Sequence, residues 1–472
     1  MDNFEFENKK KRRLKKEPIY IGLCIVCLII GLIGGYSFQI LQDHSQESSS
    51  SVYDEISALI ESNFLDTTDS DYSLKERMLN GMVAGLGDRH SSYLSTSQAE
   101  ELGTSINGSF VGIGVTFTMV HAGALLLDVY QGTPAYKSGM KKGDIILQIE
   151  GTSIASYTSD KVKDTIRGEA GTDVSLHILR NGKEMDVKCT REGVETSVEC
   201  EIRDNNVGYL RITTFGESTD SLIETALKNF KVHHVENIVI DLRGNGGGYL
   251  EAARSILNLF IPQDEVLFKV VSHQGKETVY KADAHEKYIF KKGYVLVDGN
   301  TASASEVMTS ALKEILGYTI VGETTYGKGT VQTQAILSDS STLKYTYAKW
   351  LTSKGTWINE KGIVPDEEVD GVTLDDFHVV EVEKELQYDQ VDDAIMYMQE
   401  MLKELNYSVD REDGYFSKET ESALKAFEKD YGLEVNGIYD QDDATILLSA
   451  LAYHVYYEEE DLQYLKTVDL MK

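Results

Sequence analysis

The sequence predicts a multidomain α/β protein with an N-terminal membrane helix, a β-rich unit, an α/β core and a small all-α C-terminal domain. Three observations predict it. A nearly uncharged apolar stretch runs from Ile19 to Ile40 behind a basic block. Between residues 193 and 378, patterns of buried strands alternate with helical ones. Over residues 386–456 the chain changes character, and Gln390 to Leu405 is amphipathic at helical spacing.

Lys9 to Lys16 forms the basic block, and the apolar stretch after it matches the ~20 residues that span a bilayer. Basic residues ahead of a span place residues 1–17 in the cytoplasm and 18–41 in the cell membrane as a single pass, with everything after it outside the cytoplasm. A signal peptide is the rival reading. The apolar run is long for one and no clean small-x-small cleavage site follows, which favours an uncleaved anchor. Gln42 to Ser51 is a polar, serine-rich linker. From Val52, apolar residues recur at helical spacing (Ile56, Leu59, Ile60, then Met78, Leu79, Met82, Val83, Leu86), which gives a helical region over 52–105. Residues 106–192 alternate strands and turns. In 193–378, Val207 to Ile212, Ile238 to Arg243 and Tyr294 to Asp298 read as buried strands. Helical stretches follow them at Ser221–Phe230, Tyr249–Phe260 and Ser305–Leu316.

The 472 residues are enough for about three domains at ~100–200 residues each, and 41% hydrophobic content supports real cores. The formal charge is −31. Residues 1–17 carry seven Lys/Arg and four acids, so the remainder carries −34. A surface that acidic repels nucleic acid and argues against a DNA or RNA partner. Cys24 and Cys27 lie in the apolar stretch as small apolar residues, while Cys189 and Cys200 fall in strand-like segments and are open to either a disulfide or two free thiols. The 10 histidines are scattered, with no HExxH and no zinc-type CxxC, so neither a metal centre nor another cofactor is expected.

Chemistry concentrates in two segments. Asn300-Thr-Ala-Ser-Ala-Ser-Glu306 offers serines in a small-residue run that opens a helix. Gly322-Glu-Thr-Thr-Tyr-Gly-Lys-Gly-Thr-Val-Gln332 offers one lysine between glycines. A serine hydroxyl is a weak nucleophile until a neighbouring base takes its proton. No histidine lies near either segment, so the candidate base is Lys328, which can serve only if burial leaves it neutral. Read one at a time, the serine is a helix cap and the lysine a solvated turn residue. The lysine segment also imitates a P-loop. However, Gly329 stands where Ser or Thr should hold magnesium, and the following residues read as a strand rather than a helix.

Together these segments resemble the C-terminal processing peptidases, also called tail-specific proteases. On that resemblance the nucleophile is Ser303, the middle serine of Thr301-Ala-Ser-Ala-Ser305, and the base is Lys328, oriented by Gln332. Sequence alone leaves Ser305 as a local rival. Asp241-Leu-Arg-Gly-Asn-Gly-Gly-Gly248 reads as a strand end, a glycine turn and a helix start, which turns backbone N–H groups toward an anion. The family resemblance makes the Gly247 and Ala304 N–H groups the oxyanion donors. Gly362-Ile-Val-Pro-Asp366 resembles the family's closing motif. Thr352-Ser-Lys-Gly355 departs from the usual Thr-Pro-x-Gly, and Gly87-Asp-Arg-His-Ser-Ser-Tyr-Leu94 carries Arg89 where the family has proline. In the family the helical region around that last motif helps dimerise the enzyme, so the resemblance implies a homodimer.

Residues 106–192 resemble a PDZ domain through Phe110-Val-Gly-Ile-Gly-Val-Thr-Phe117 and Gly139-x-x-x-Gly-Asp-Ile-Ile-Leu147. In such a domain a glycine loop holds a peptide's terminal carboxylate beside a sheet edge that accepts the peptide as a strand. The resemblance gives that role to Gly112, Ile113 and Gly114, with Arg167 as a further anion contact. Residues 386–456 resemble a small helical peptidoglycan-binding domain through Asp413-Gly-Tyr-Phe416 and Gly432-Leu-Glu-Val-Asn-Gly-Ile438. The implied protein is a membrane-anchored serine endopeptidase with its Ser-Lys protease core at 193–378. It would take protein substrates by their exposed C-termini and bind peptidoglycan through its last domain. The competing class is a non-catalytic PDZ peptide receptor tethered to membrane and wall. As read from the sequence, that last domain is a separable appendage whose loss spares cleavage of short peptides.

Overall fold

Strands with apolar side chains on both faces need cover on both faces, and that requirement organises the core. The computed structural model describes residues 52–66, 72–371, 374–458 and 461–472. The expected membrane helix at 18–41 lies outside the described residues, and among those described no helix is long and apolar enough to cross a membrane.

The chain divides into two units, Met1–Met82 and Val83–Lys472. In the first, α1 (Val52–Asn63) leaves Val52, Ile56 and Leu59 exposed, so its apolar stripe is uncovered. Helix α2 (Leu74–Ala84) follows and ends in the second unit.

The second unit opens with β1 (Ser92–Leu94) and α3 (Thr96–Asn107), whose N-cap Ser95 and Gln98 form a capping box. Strand β2 (Ser109–Gly112) then leads into a six-stranded antiparallel sheet. It comprises β3 (Val115–Val120), β4 (Gly123–Val129), β5 (Ile145–Ile149), β6 (Thr152–Ser153), β7 (Asp173–Arg180) and β8 (Lys183–Thr190). Two helices belong to it, α4 (Pro134–Lys137) and α5 (Ser159–Ile166). The strand order β3-β4-β5-β7-β8 leaves β3 at an edge, while β2 pairs instead with β9 (Glu192–Glu195).

The core follows as β10 (Val198–Arg203), β11 (Val207–Ile212), α6 (Thr219–Val232), β12 (Asn237–Asp241), α7 (Leu250–Leu257), β13 (Val266–Ser272), β14 (Glu277–Lys281) and β15 (Lys292–Val297). Then come α8 (Ala304–Ala311), β16 (Thr319–Gly322), β17 (Thr330–Ile336), β18 (Thr342–Thr352) and β19 (Glu367–Glu368). The sheet β10-β11-β12-β15-β16-β19 is parallel except for β10, as the alternation of strands and helices predicts. An antiparallel sheet of β1, β18, β13, β14 and β17 completes the core. One face of the parallel sheet, Leu210, Ile212, Ile238, Ile240, Val295 and Val297, packs with Phe230 of α6, Ile256 of α7, Met308 of α8 and Trp350 of β18.

The opposite face is covered from an unexpected quarter. Helices α9 (Asp393–Glu404), α10 (Lys418–Tyr431) and α11 (Gln441–Tyr453) form the expected all-α domain. The chain then continues into α12 (Leu462–Met471), beyond the boundary at 456 expected from sequence. Its Tyr464, Leu470 and Met471 cover Val207, Tyr209, Val239, Tyr294, Leu296 and Val321. The all-α domain itself shares a core with Leu125, Ile145 and Leu179 of the antiparallel sheet. Tyr431 Oη meets Asn181 Oδ1 at 3.0 Å. Cys189 and Cys200 are both free thiols.

Candidate active site

The strand–turn–helix segment from β15 to α8 is pinned to the glycine turn after β12. Thr301 Oγ1 donates to Leu242 O at 2.9 Å, and Ala302 N donates to Asn245 O at 3.0 Å. Ser305 is fully buried and its hydroxyl donates to the same Asn245 carbonyl at 2.9 Å. Ser303 is half-buried at the mouth of α8, with φ 58° and ψ −117°. That backbone conformation is uncommon for a non-glycine residue, and such strain persists only where its surroundings enforce it. Here the enforcing contact is Ser303 N donating to Glu306 Oε2 at 2.8 Å.

Glu306 also reaches the lysine loop. Its buried carboxylate accepts from Thr325 Oγ1 (2.6 Å), Gly327 N (2.7 Å) and Lys328 N (2.8 Å). Burial raises the Glu306 pKa, and these donors pull against that rise. One side chain therefore fixes the backbone of the candidate nucleophile against that of the candidate base. The Gly362-Ile-Val-Pro-Asp366 segment closes the loop from the other side. A Cβ on Gly327, whose φ is +84°, would stand 2.7 Å from Gly362 N, so no larger residue fits without moving backbone.

Lys328 is half-buried, and desolvation lowers its pKa. The like charge of Lys344 lowers it further, while Asp88 and Glu306 raise it. Among the described residues, no side-chain hydrogen bond contributes to its electrostatics. Gln332 Nε2 donates to Thr330 Oγ1 and Thr346 Oγ1, each at 3.0 Å. Thr346 in turn bonds the Asp88 carboxylate. Arg89, which replaces the expected proline, lies with its guanidinium 5.0 Å from the Tyr326 ring centroid.

The glycine turn faces Ser303. A Cβ on Gly247, at φ +108°, would stand 2.8 Å from Ser303 Cβ and 3.0 Å from Ala304 N. In this conformation Gly247 N donates to Asn245 Oδ1 at 2.8 Å. Ala304 N belongs to the first turn of α8, whose N–H groups lack intrahelical acceptors.

Gly112, Ile113, Gly114 and Arg167 meet elsewhere, in a cleft of about 230 Å³ between edge strand β3 and α5. Phe110, Phe117 and Ile166 give it apolar walls. Lys163 and Glu101 pair at 2.5 Å on its lining.

Comparison with known proteins matches these features in order. Residues 206–369 match the model of peptidase family S41, residues 111–190 a PDZ domain, and residues 391–447 the "Putative peptidoglycan binding domain". The carboxy-terminal processing protease CtpA of Bacillus subtilis is 32% identical over 468 residues, spanning 98% of this chain and 99% of that one. The chain belongs to the carboxy-terminal processing proteases. CtpB of the same organism is 32% identical over 411 residues, 86% of this chain and 85% of its own. The solved photosystem II D1 C-terminal processing protease is 27% identical, with a TM-score of 0.43 over 66% of this chain and 86% of that one.

In this processing protease three polar residues escaped the sequence reading. The spacing of Glu306 to Ser303 is that of a capping box, so a local signal was present. Its grip on Gly327 and Lys328 is tertiary and left no such signal. Asn245 was visible only as one member of the glycine turn. Asp88 lies in the Gly87–Leu94 segment, whose resemblance to the family carries no chemical role for it.

Proposed function

We propose that this serine-type protease cleaves by a Ser303–Lys328 dyad. Neutral Lys328 Nζ takes the Ser303 hydroxyl proton while Oγ bonds the scissile carbonyl carbon. The proton passes to the departing amine as the C–N bond breaks, and water then hydrolyses the acyl-enzyme. Gly247 and Ala304 N–H groups stabilise the oxyanion, which requires the Gly247 amide to leave Asn245 Oδ1. Gln332 orients the lysine once its amide turns from Thr330 and Thr346. The observation that carries this reading is the Glu306 carboxylate, which takes the backbone amides of Ser303 and Lys328 at 2.8 Å each. The full burial of Ser305 supports Ser303 over its rival.

The substrate class we propose is protein chains with exposed C-termini, received as an added strand on β3 with the terminal carboxylate at Gly112, Ile113 and Gly114 and near Arg167. We further propose that residues 18–41 anchor the enzyme in the cell membrane with its catalytic domains outside the cytoplasm, that residues 386–456 bind peptidoglycan, and that the enzyme is a homodimer. The exposed stripe of α1 supports the last of these.

Ser303→Ala is expected to abolish cleavage while leaving folding and peptide binding unchanged. Lys328→Arg keeps the charge but cannot accept a proton, so it should be as inactive as Lys328→Ala, with turnover at least about 10³-fold down. Single-turnover rates on one peptide test both. Substantial activity in Lys328→Arg returns the lysine to an electrostatic role.

A further inference from the structure

We propose that Arg243 is a positioning residue for the nucleophile turn, and that the C-terminal segment 461–472 holds it in place. The proposal rests on Ser303 being the nucleophile. Arg243 directs nearly all its donors to two carboxylates and one amide. Nε and Nη2 donate to Asp241, at 3.0 and 2.6 Å. Nη1 and Nη2 each donate to Asp461 at 2.9 Å, and Nη1 also reaches Gln463 Oε1 at 3.2 Å. Such a two-pronged contact fixes the guanidinium plane.

From Arg243 the chain turns directly into the site. Gly244 N donates to Asp298 Oδ2 at 2.9 Å. Asn245 then accepts Ala302 N and the Ser305 hydroxyl on its carbonyl, and Gly247 N on its side chain. A shift of Arg243 is therefore transmitted within two residues to the groups that seat Ser303 and to one oxyanion donor.

Docking of the tail helix does not depend on this ion pair. Tyr464, Leu470 and Met471 bury against the sheet, and the Arg203 guanidinium covers Tyr209 and Tyr464 at 3.4 and 4.3 Å from their ring centroids. Lys292 Nζ donates to Leu470 O at 2.7 Å, and Gln463 Nε2 donates to Val369 O at 2.9 Å. Asp461 is 40% exposed, and an ion pair that open to solvent adds little to stability. Asp461 Oδ1 also caps α12 by accepting from Tyr464 N at 3.0 Å, a role that asparagine takes over, so what Asp461→Asn removes is the charge that sets where Arg243 stands.

The test uses the full-length enzyme in detergent and a short peptide substrate, with Asp461→Asn, Asp461→Glu and Ser303→Ala made in parallel. These changes leave the buried Asp241–Arg243 pair intact. Asp461→Asn should lower kcat by roughly 10-fold to 100-fold, as small misplacements of reacting groups do, with KM and the melting temperature unchanged. Asp461→Glu keeps the carboxylate for Arg243 but caps α12 less well, so it should recover most of the rate with a melting temperature at or below that of the parent. Wild-type kcat in Asp461→Asn, or a kcat loss matched by a lower melting temperature, overturns the positioning role. Activity in Ser303→Ala instead overturns the nucleophile assignment, so the two failures are separable.

Discussion

A lysine works as a base only while it is neutral, and the surroundings of Lys328 decide the pH at which that would hold. Desolvation and the charge of Lys344 push its pKa down; Asp88 and Glu306 push it up. His90 feels the charge of the same group, its own pKa lowered by burial and by Lys328. Activity should rise with pH along a limb set by Lys328. Replacing Lys344 with methionine removes a cation that favours the neutral amine, so the limb should move to higher pH, with lower activity at any pH below the plateau. Asp88→Asn removes an anion that favours the ammonium and should move the limb the opposite way. Profiles of kcat/KM against pH for the two variants check this, and displacement of both in one direction would show that these charges do not set the base. Ser303 and Ser305 differ at this scale too, in burial and in the Asn245 carbonyl that only Ser305 Oγ meets, neither of which a string of small residues displays.

At the scale of elements, the strand–turn–helix units were legible because their patterns are local: apolar runs mark β11, β12 and β15, and glycines mark the turn at 244–248. What joins α8 to the lysine loop was not legible, since Glu306 meets Gly327 and Lys328 only after both segments fold. That junction makes a prediction. Glu306 accepts four donors at once, and a glutamine oxygen cannot replace both carboxylate oxygens while its NH₂ group would face N–H groups. Glu306→Gln should leave at least one or two buried donors unsatisfied, costing roughly 2–4 kcal/mol of stability, and should lower kcat as well. Urea denaturation measures the first. A midpoint equal to that of the parent enzyme would mean that the carboxylate is dispensable to the fold.

At the scale of the whole molecule, the sequence suggested a detachable C-terminal domain. That reading rests on residues up to 456, which alone carry a motif, whereas the tail helix that follows covers a sheet face whose residues lie between Val207 and Val321. Buried strands such as Tyr294-Val-Leu-Val297 imply a second covering layer; nothing local says which segment supplies it. Cutting the chain at 385 removes two sets of contacts together. It uncovers Leu125, Ile145 and Leu179 on the PDZ sheet, and it uncovers Tyr209, Tyr294 and Leu296 on the protease sheet. Loss of Tyr464, Leu470 and Met471 alone, at about 1–1.5 kcal/mol for each partly buried side chain, costs roughly 3–5 kcal/mol. That is a large fraction of the ~5–15 kcal/mol that holds an ordinary domain together. Deletion of 386–472 should therefore lower the melting temperature of the protease and reduce short-peptide cleavage, in addition to any loss of retention on isolated cell walls. Removing 461–472 alone should reproduce part of the fall in melting temperature, the part owed to the protease sheet, while sparing wall retention. If the long deletion melts with the parent enzyme and cleaves the short peptide at full rate, the tail is an appendage after all and the sheet face it covers tolerates water.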